Sequence, residues 1–162
     1  MLIREAGSED LERLHEIDRA AFAPALAYSR AELRFHMLTR DSRTLVAEEG
    51  GAAVGFVVAR RIGGGRGTVI TLDVAPGRQR QGIGGELLAA IEAWLEGVGV
   101  REVFLETPAD ESGARPFYEK HGYRAVRRLR GYYKGRLDAF GMTKRLGGTA
   151  AATKGATSPD GG

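Results

Sequence analysis

The chain has 162 residues, of which 43% are hydrophobic and 28% charged, the balance of one soluble globular domain rather than of a disordered or fibrous chain. It contains no cysteine, which excludes disulfides, thiolate metal ligands and a cysteine nucleophile. The formal net charge is +3, no apolar run approaches the roughly 18 residues of a membrane span, and the acidic start is unlike a secretory signal. We therefore expect a cytoplasmic protein without a membrane partner.

Two helices are predicted after a short strand at the N terminus. Ser8 is the expected cap of the first helix, which ends before Pro24, and Ser29 is the expected cap of the second. Apolar residues recur at helical spacing in both, so one face of each helix should be buried. The expected buried positions are Leu11, Leu14, Ile17 and Ala21 in the first helix and Leu33 and Met37 in the second, with Phe35 as a further candidate.

Three strand patterns follow, TLVAEE, AAVGFVVARRI and TVITLDVA. Gly50 and Gly51 separate the first two, and a cluster of glycines over 63–67 separates the second from the third. These strands should form an antiparallel meander.

The C-terminal half alternates helices and strands. We predict a helix over 84–96, a strand in the run EVFLET, a helix over 112–121 that ends at Gly122, and two strands over 123–133 and 138–145. A strand, a helix and a strand within about 35 residues form a right-handed unit whose strands are parallel.

These elements predict an α/β fold, with a mixed, mostly antiparallel sheet of six to seven strands, a central parallel pair and about four helices on both faces. The predicted domain covers residues 1–146. Residues 147–162 lack apolar periodicity and are expected to form a disordered tail.

The stretch LDVAPGRQRQGIGGELL, residues 72–88, joins a strand to a helix and is a candidate anion site. The first N–H groups of a helix lack intrahelical partners and the helix dipole is positive there, so a pyrophosphate would fit. The glycines would admit a bulky group, and Arg78 and Arg80 would add charge. The spacing fits neither a P-loop nor a dinucleotide fingerprint, and from spacing alone a glycine-rich turn with solvated basic side chains is an equal alternative.

The run QRQGIG matches the Q/RxxGxG/A motif, and the chain resembles the GNAT superfamily of N-acetyltransferases over Leu2 to Leu146. PGRQRQGIGGELL, LETPADESGARPFYEKHGY and RGYYKGRLDAFGM are most similar to RimI-type protein N-terminal acetyltransferases. The resemblance implies acetyl-coenzyme A as cosubstrate, with residues 72–74 beside the pantetheine arm and 80–85 around the pyrophosphate. The implied coenzyme-binding positions are Leu72, Asp73, Val74, Gln79, Arg80, Gln81, Gly82, Ile83, Gly84, Gly85 and Glu111.

The resemblance also implies two catalytic residues. Glu106, at the end of EVFLET, matches the general base, which acts directly or through water, and Tyr118 matches the residue that protonates the coenzyme A thiolate. The resemblance further implies that the carbonyl oxygen of the acetyl group accepts a hydrogen bond from the Val74 N–H. The position of Glu106 at the carboxyl end of a strand, where ligands of α/β sheets collect, also favours a base, and the alternative is a rim glutamate paired with an arginine. Without the resemblance, Tyr118 is a core aromatic on an amphipathic helix.

The acceptor pocket is implied to include Leu26 and Tyr28, which could instead be surface anchors, and Tyr132 and Tyr133. Adjacent strand residues point to opposite faces, so at most one of the two tyrosines should meet the substrate; an aromatic hairpin packed on the sheet is the alternative. Glu111 departs from the asparagine usual in RimI-type enzymes, which puts peptide specificity in doubt more than acetyl transfer.

No metal site is indicated, because the three histidines are dispersed, and His121 is expected to contact free carbonyls at the end of its helix. The leading hypothesis is acetyl transfer to a protein or peptide N-terminal amine. Lysine or a small polyamine is an alternative acceptor, and a non-catalytic acetyl-coenzyme A sensor is an alternative class. A nucleic-acid surface over the basic residues 124–136 is disfavoured because no base-reading motif accompanies it. The sequence leaves a homodimer open.

Overall fold

The computed structural model describes residues 1–22, 26–109, 114–133 and 137–147, with the backbone alone at Tyr133. Within these residues the helices are α1 (Leu11–Ala21), α2 (Arg30–Leu38), α3 (Ile83–Gly97) and α4 (Ala114–Lys120). The strands are β1 (Leu2–Glu5), β2 (Ser42–Glu49), β3 (Ala52–Gly63), β4 (Arg66–Val74), β5 (Glu102–Pro108), β6 (Arg124–Tyr133) and β7 (Leu137–Arg145).

The seven described strands form one sheet in the order β1-β2-β3-β4-β5-β7-β6. Only the central pair β4–β5 is parallel, and α3 connects these two strands. The other neighbours are antiparallel, including the predicted meander β2-β3-β4. The predicted mixed sheet with a central parallel pair is therefore confirmed.

Each face of the sheet has its own hydrophobic core, because alternate strand residues point to opposite sides. On one face α1 and α2 contribute Leu14, Ile17 and Leu33, which pack with Phe56 and Val58 of β3. On the other face α3 and α4 cover a second core, whose fully buried members include Leu87, Ile91, Leu95 and Val57. The helices therefore lie on both faces, as the sequence predicts.

The turn between β3 and β4 is shorter than the glycine cluster suggests. Gly63 and Gly67 belong to the strands, and only Gly64 and Gly65 form the loop, with φ of 65° and 77°. Two successive positive φ values are those of a type I′ hairpin, which glycine adopts without strain. The turn therefore fixes the register of the strand that enters the parallel pair.

Two predictions about the first helices are wrong. Ser8 does not cap α1, because Ser8–Asp10 form a 3₁₀ turn and the carboxylate of Asp10 accepts the Gly7 N–H at 2.7 Å. Hydrogen bonds from Arg4 lower the pKa of this carboxyl. Phe35 is 64% exposed, since it lies about 200° around the helix from the fully buried Leu33. The Ser29 cap is confirmed by its bond from the Glu32 N–H.

Candidate active site

The parallel pair β4–β5 separates after three residue pairs. Arg66–Thr68 pairs with Glu102–Phe104, and there the ladder ends. Beyond it β4 stays paired with β3 as far as Val74, and β5 stays paired with β7 as far as Pro108. The facing edges of β4 and β5 therefore no longer pair with each other. Their backbone groups can serve an extended ligand instead.

A cleft of about 390 Å³ opens where these strands separate. Its lining comes from the connection between α1 and α2 and from β4, β5, α4 and β6, so five distant parts of the chain build it. The predicted site residues that line it are Leu26, Tyr28, Leu72, Glu106, Tyr118 and Tyr132.

Glu106 is an exposed residue between two buried neighbours on β5. Its carboxylate accepts a hydrogen bond from the phenol of Tyr132, which lies on β6. Burial raises the pKa of this phenol first, and the negative charge of Glu106 and the hydrogen bond raise it further. The structure thus gives Glu106 a neutral donor, and among the described residues no arginine forms an ion pair with it.

Tyr118 lies on the buried side of α4, with 9% of its surface exposed. Its ring meets the ring of Tyr123 edge-on, at a centroid distance of 5.6 Å, and the same residue lines the cleft. Tyr118 is therefore a core residue that also lines the cleft, and this position is compatible with both interpretations of the sequence.

Tyr28 closes the side of the cleft that α1 and α2 provide. Its backbone N–H donates to Asp18 Oδ2 at 2.7 Å, which holds the connection between the two helices to α1. Burial, with smaller effects from nearby negative groups, raises the pKa of the Tyr28 phenol to about 12. We call Tyr28, Glu106, Tyr118 and Tyr132 the polar cleft wall.

The segment Gln79–Gly85, here called the helix mouth, leads into α3. Its first intrahelical bond runs from the Glu86 N–H to the Gly82 carbonyl at 3.1 Å, so the N–H groups of residues 83–85 have no intrahelical acceptor. Arg80 and Gly82 have positive φ values of 64° and 86°. Left-handed residues beside a helix start form backbone concavities that bind anions. This geometry supports the predicted anion site.

The glycines of the helix mouth serve different purposes. Gly82 has open space around it and is required by its positive φ. A Cβ on Gly85 would lie 2.8 Å from His121 Nε2, and one on Gly84 would lie 3.3 Å from the ring of Phe117. Gly84 and Gly85 therefore let α4, which carries Tyr118, pack closely against α3.

The two arginines near the helix mouth differ in their partners. Arg78 forms an ion pair with Glu49 and donates to Gln81 Oε1 at 3.2 Å. Arg80 is exposed. The charge of Arg78 is thus already paired with a carboxylate, which leaves the backbone N–H groups and Arg80 as the groups open to an anion.

The end of β4 connects the cleft to the helix mouth. Leu72 lines the cleft, and the Val74 carbonyl accepts a hydrogen bond from the Gln79 side chain at 3.2 Å. The Asp73 side chain is 2% exposed and accepts the Thr71 hydroxyl at 2.9 Å. Asp73 can therefore contribute to a ligand in the cleft only through its backbone.

Several predicted features lie outside the described residues. These are Glu111, the start of the predicted helix at Ser112, the side chain of Tyr133 and residues 148–162 of the predicted tail. His121, by contrast, is placed as expected. Its Nδ1 lies 2.8 Å from the Phe117 carbonyl near the end of α4, and Gly122 follows with a φ of 95°.

The sequence analysis missed Asp18 and the early separation of β4 from β5. Asp18 carried a signal, because it is four residues after Leu14 and so lies on the apolar face of α1, where a carboxylate is out of place. The separation carried none, since both strands continue as apolar runs beyond the last residue pair.

Among the described residues, no three His, Cys, Asp or Glu side chains are grouped so as to hold a metal ion. None of the described helices is long and apolar enough to cross a membrane.

A split parallel pair, a helix mouth with free N–H groups beyond one strand, and a carboxylate and phenols in the split together are the features expected of an α/β transferase. Such a site holds an extended cosubstrate along a strand and its anionic part at the helix. The carboxylate and the phenols can then move protons at the reacting atoms.

Comparison with known proteins identifies the family. The acetyltransferase (GNAT) family matches residues 11–123. An N-alpha-acetyltransferase of Sulfurisphaera tokodaii is 30% identical over 156 residues, covering 89% of this chain and 92% of that protein. An uncharacterised N-acetyltransferase of Methanocaldococcus jannaschii is 31% identical over 146 residues, covering 90% and 92%.

A solved structure agrees with these matches. The ribosomal-protein-S18-alanine N-acetyltransferase of Escherichia coli superimposes with a TM-score of 0.80 and 26% identity, covering 90% of this chain and 93% of that one. The chain therefore belongs to the GNAT acetyltransferase family, and the resemblance seen in its sequence is confirmed. It is an acetyl-coenzyme A-dependent N-acetyltransferase.

Proposed function

We propose that this N-acetyltransferase acts on the α-amino group of a protein or peptide N terminus, with Glu106 as general base and Tyr118 as general acid. The observation that carries the proposal is the split between β4 and β5, because Glu106 and Tyr118 line the one cleft that it opens. A peptide can enter this cleft in extended form and pair with a strand edge.

In this proposal the cosubstrate binds along the end of β4 and across the helix mouth. The backbone of Leu72–Val74 faces the pantetheine arm, and the N–H groups of residues 83–85 bind the pyrophosphate. The support is that those N–H groups lack intrahelical acceptors and that Gly82 adopts the left-handed conformation next to them. Gln79 contributes by holding the Val74 carbonyl, and so the end of the strand, against the mouth.

The reaction requires two proton movements around one acyl transfer. The amine nitrogen forms a bond to the acyl carbon while the carbon–sulfur bond breaks. Glu106 accepts the proton that the amine loses, and Tyr118 donates a proton to the departing sulfur, so charge and protons balance. The Tyr132 phenol, hydrogen-bonded to Glu106, orients the carboxylate. In this proposal the Val74 N–H donates a hydrogen bond to the acetyl carbonyl oxygen.

An α-amine suits this site better than a lysine does. The pKa of a peptide α-amine is about 8 and that of lysine about 10.4. At neutral pH a larger fraction of the α-amine is therefore already deprotonated, and a single carboxylate base is sufficient for it. The Sulfurisphaera relative is named as an N-alpha-acetyltransferase, and the E. coli enzyme is named as an alanine N-acetyltransferase of a ribosomal protein. Both names support a protein acceptor, and the first specifies the α-amine.

The test uses matched acceptors with acetyl-coenzyme A. One peptide is offered with a free N terminus, the same peptide with a blocked N terminus and one internal lysine, and spermidine separately. Release of thiol is measured, and mass spectrometry locates the acetyl group. We expect turnover on the free peptide with the label on its α-amine. Label confined to the lysine or to spermidine would contradict an α-amine acceptor and show that the acceptor is a lysine or a polyamine. Coenzyme binding without turnover on any amine would overturn the assigned catalysis.

A further inference from the structure

Two buried aspartates lie behind the cleft and take no part in the proposed reaction. Asp18 of α1 and Asp73 of β4 are 1% and 2% exposed. One oxygen of each has a donor, since Asp18 Oδ2 accepts the Tyr28 N–H at 2.7 Å and Asp73 Oδ1 accepts the Thr71 hydroxyl at 2.9 Å. The other two oxygens, Asp18 Oδ1 and Asp73 Oδ2, are buried without a donor.

Two ionised carboxylates cannot stay adjacent in such a place at low cost. Burial raises the pKa of Asp73 most, Asp18 raises it further by a side-chain hydrogen bond and by its charge, and the Thr71 hydroxyl lowers it only in part. A single proton between the two carboxyls removes one negative charge. It also lets the two oxygens that lack donors form one hydrogen bond with each other.

The surroundings of the pair offer no compensating cation. Among the described residues no arginine, lysine or histidine forms an ion pair with either aspartate. From the connection after α1 the Tyr28 phenol faces the pair, and its pKa of about 12 keeps it neutral. Glu32 of α2 and Tyr132 of β6 also act on Tyr28, and of these Glu32 adds only negative charge. His36 of α2 packs against the Tyr28 ring at a centroid distance of 4.9 Å, and burial lowers the pKa of its imidazole below the usual value, so it adds no positive charge at pH 7. A proton is therefore the only available means of neutralising the pair within the described structure.

The pair also connects two sides of the cleft. The Thr71 hydroxyl donates to Asp73 and the Tyr28 N–H donates to Asp18, so a hydrogen bond between the two carboxyls would complete a chain from β4 to Tyr28. Thr71 and Tyr28 both line the cleft, on β4 and on the connection between α1 and α2. A proton between the two carboxyls would join β4 to the carboxylate that holds the Tyr28 N–H, in addition to the long bond of 3.5 Å from the Tyr28 hydroxyl to the Ile70 carbonyl of β4.

We propose that Asp18 and Asp73 share one proton, and that the resulting hydrogen bond positions Tyr28, and with it the acceptor side of the cleft, against β4. The Asp73 carboxyl is the proton donor and acts as a positioning group, since the buried side chain meets neither the substrates nor the reacting atoms. The proposal that the pair shares a proton does not depend on the proposed function, whereas the effect of the pair on acceptor binding rests on it.

The shared proton is tested by comparing the wild type with Asp73→Asn, which keeps the shape and a donor but cannot ionise. Above the unfolded pKa of about 3.9, the folded wild type holds a proton that the unfolded chain has lost, so its stability falls as pH rises. Relative to Asp73→Asn, the unfolding equilibrium constant of the wild type should rise about tenfold per pH unit. Urea unfolding at about pH 5, 6 and 7 measures this ratio. A ratio that does not change with pH would overturn the shared proton.

The positioning of Tyr28 is tested by hydrogen exchange, which needs no acceptor. We expect the Tyr28 amide to exchange at least about tenfold faster in Asp73→Ala, because the partner oxygen of Asp18 loses its donor, and at the wild-type rate in Asp73→Asn. Amides of α3 should be unchanged. If Asp73→Ala does not fold, the apolar and better-filling Asp73→Leu takes its place. Unchanged exchange at Tyr28 in the folded variant would overturn the positioning role.

Kinetics then connect the pair to the acceptor. With a peptide that the wild type acetylates, the KM for the peptide should rise about tenfold in Asp73→Ala and return in Asp73→Asn, while the KM for acetyl-coenzyme A stays within about twofold. An equal rise in both KM values would overturn the effect on the acceptor side. If the wild type acetylates no amine, the proposed function fails, whereas the unfolding and exchange measurements still decide the proposal about the pair.

Discussion

The helix mouth and the polar cleft wall are built in opposite ways. The helix mouth is one continuous segment, Gln79–Gly85, that offers backbone N–H groups at the start of a helix. The polar cleft wall consists of four side chains from the connection after α1, from β5, from α4 and from β6. A site made of backbone groups in one segment can be recognised from a sequence motif and tolerates many side-chain changes. A site made of side chains from distant segments has no such motif and is sensitive to each substitution.

The largest effect is expected from removing one hydroxyl from the polar cleft wall. Tyr118→Phe should lower kcat by about 10²-fold or more, because the departing sulfur loses its proton donor. Thiol release at saturating substrates measures kcat, and the affinity for acetyl-coenzyme A should stay within about twofold. The buried ring keeps its packing, so the variant should fold. Wild-type turnover would remove Tyr118 from the mechanism.

A second large effect is expected at Glu106. Glu106→Gln should lower kcat by about 10²-fold, since the amide cannot accept the amine proton. Glu102→Gln is the matched control, because Glu102 lies on the same strand but outside the cleft, bonded to the Thr143 hydroxyl. The control should keep nearly full turnover. Equal losses in the two variants would show that the carboxylate at Glu106 has a structural rather than a chemical role.

At the helix mouth a change in backbone conformation should weaken the binding of acetyl-coenzyme A. Gly82→Ala forces a Cβ into the left-handed region and should raise the KM for acetyl-coenzyme A about tenfold, because the adjacent N–H groups shift. Gly77→Ala carries the same strain, with a φ of 87°, but lies before the mouth. Both variants should lose about 1 kcal/mol of unfolding free energy. If the two KM values rise alike, the mouth does not bind the cosubstrate through its backbone.

The smallest effect is expected from a charge beside the mouth. Arg78→Ala should change the KM for acetyl-coenzyme A by less than about threefold, because Glu49 already pairs with this arginine and partly exposed pairs contribute little. Steady-state kinetics at low and moderate salt measure it. A tenfold rise in KM would mean that charge, rather than backbone, dominates the helix mouth, and the contrast between the two regions would fail.

Much of the fold was predictable because its signals are local. Apolar spacing located the helices and strands, Ser29 marked a cap, and Gly122 marked a helix end. Ser8 and Phe35 show where local signals fail. The Asp10 carboxylate displaced Ser8 through its bonds to Arg4 and Gly7, and the position of Phe35 around the helix decided its exposure.

The glycines of the helix mouth are a second example of a feature that the local sequence does not determine. The sequence predicted that they admit a bulky ligand group, whereas in the structure Phe117 and His121 pack against Gly84 and Gly85. The identity of the neighbour depends on how two helices separated by β5 pack. No pattern within the segment contains that information.

By itself the sequence determined the order of elements, the glycine-rich start of α3 and the family, since these depend on residues close together in the chain. Only the tertiary structure decided that β4 and β5 separate after Thr68, that Tyr132 reaches Glu106, and that Asp18 meets Asp73. These contacts join segments that lie far apart in the sequence. Their geometry follows from how the two cores pack against the sheet rather than from any local preference of the chain.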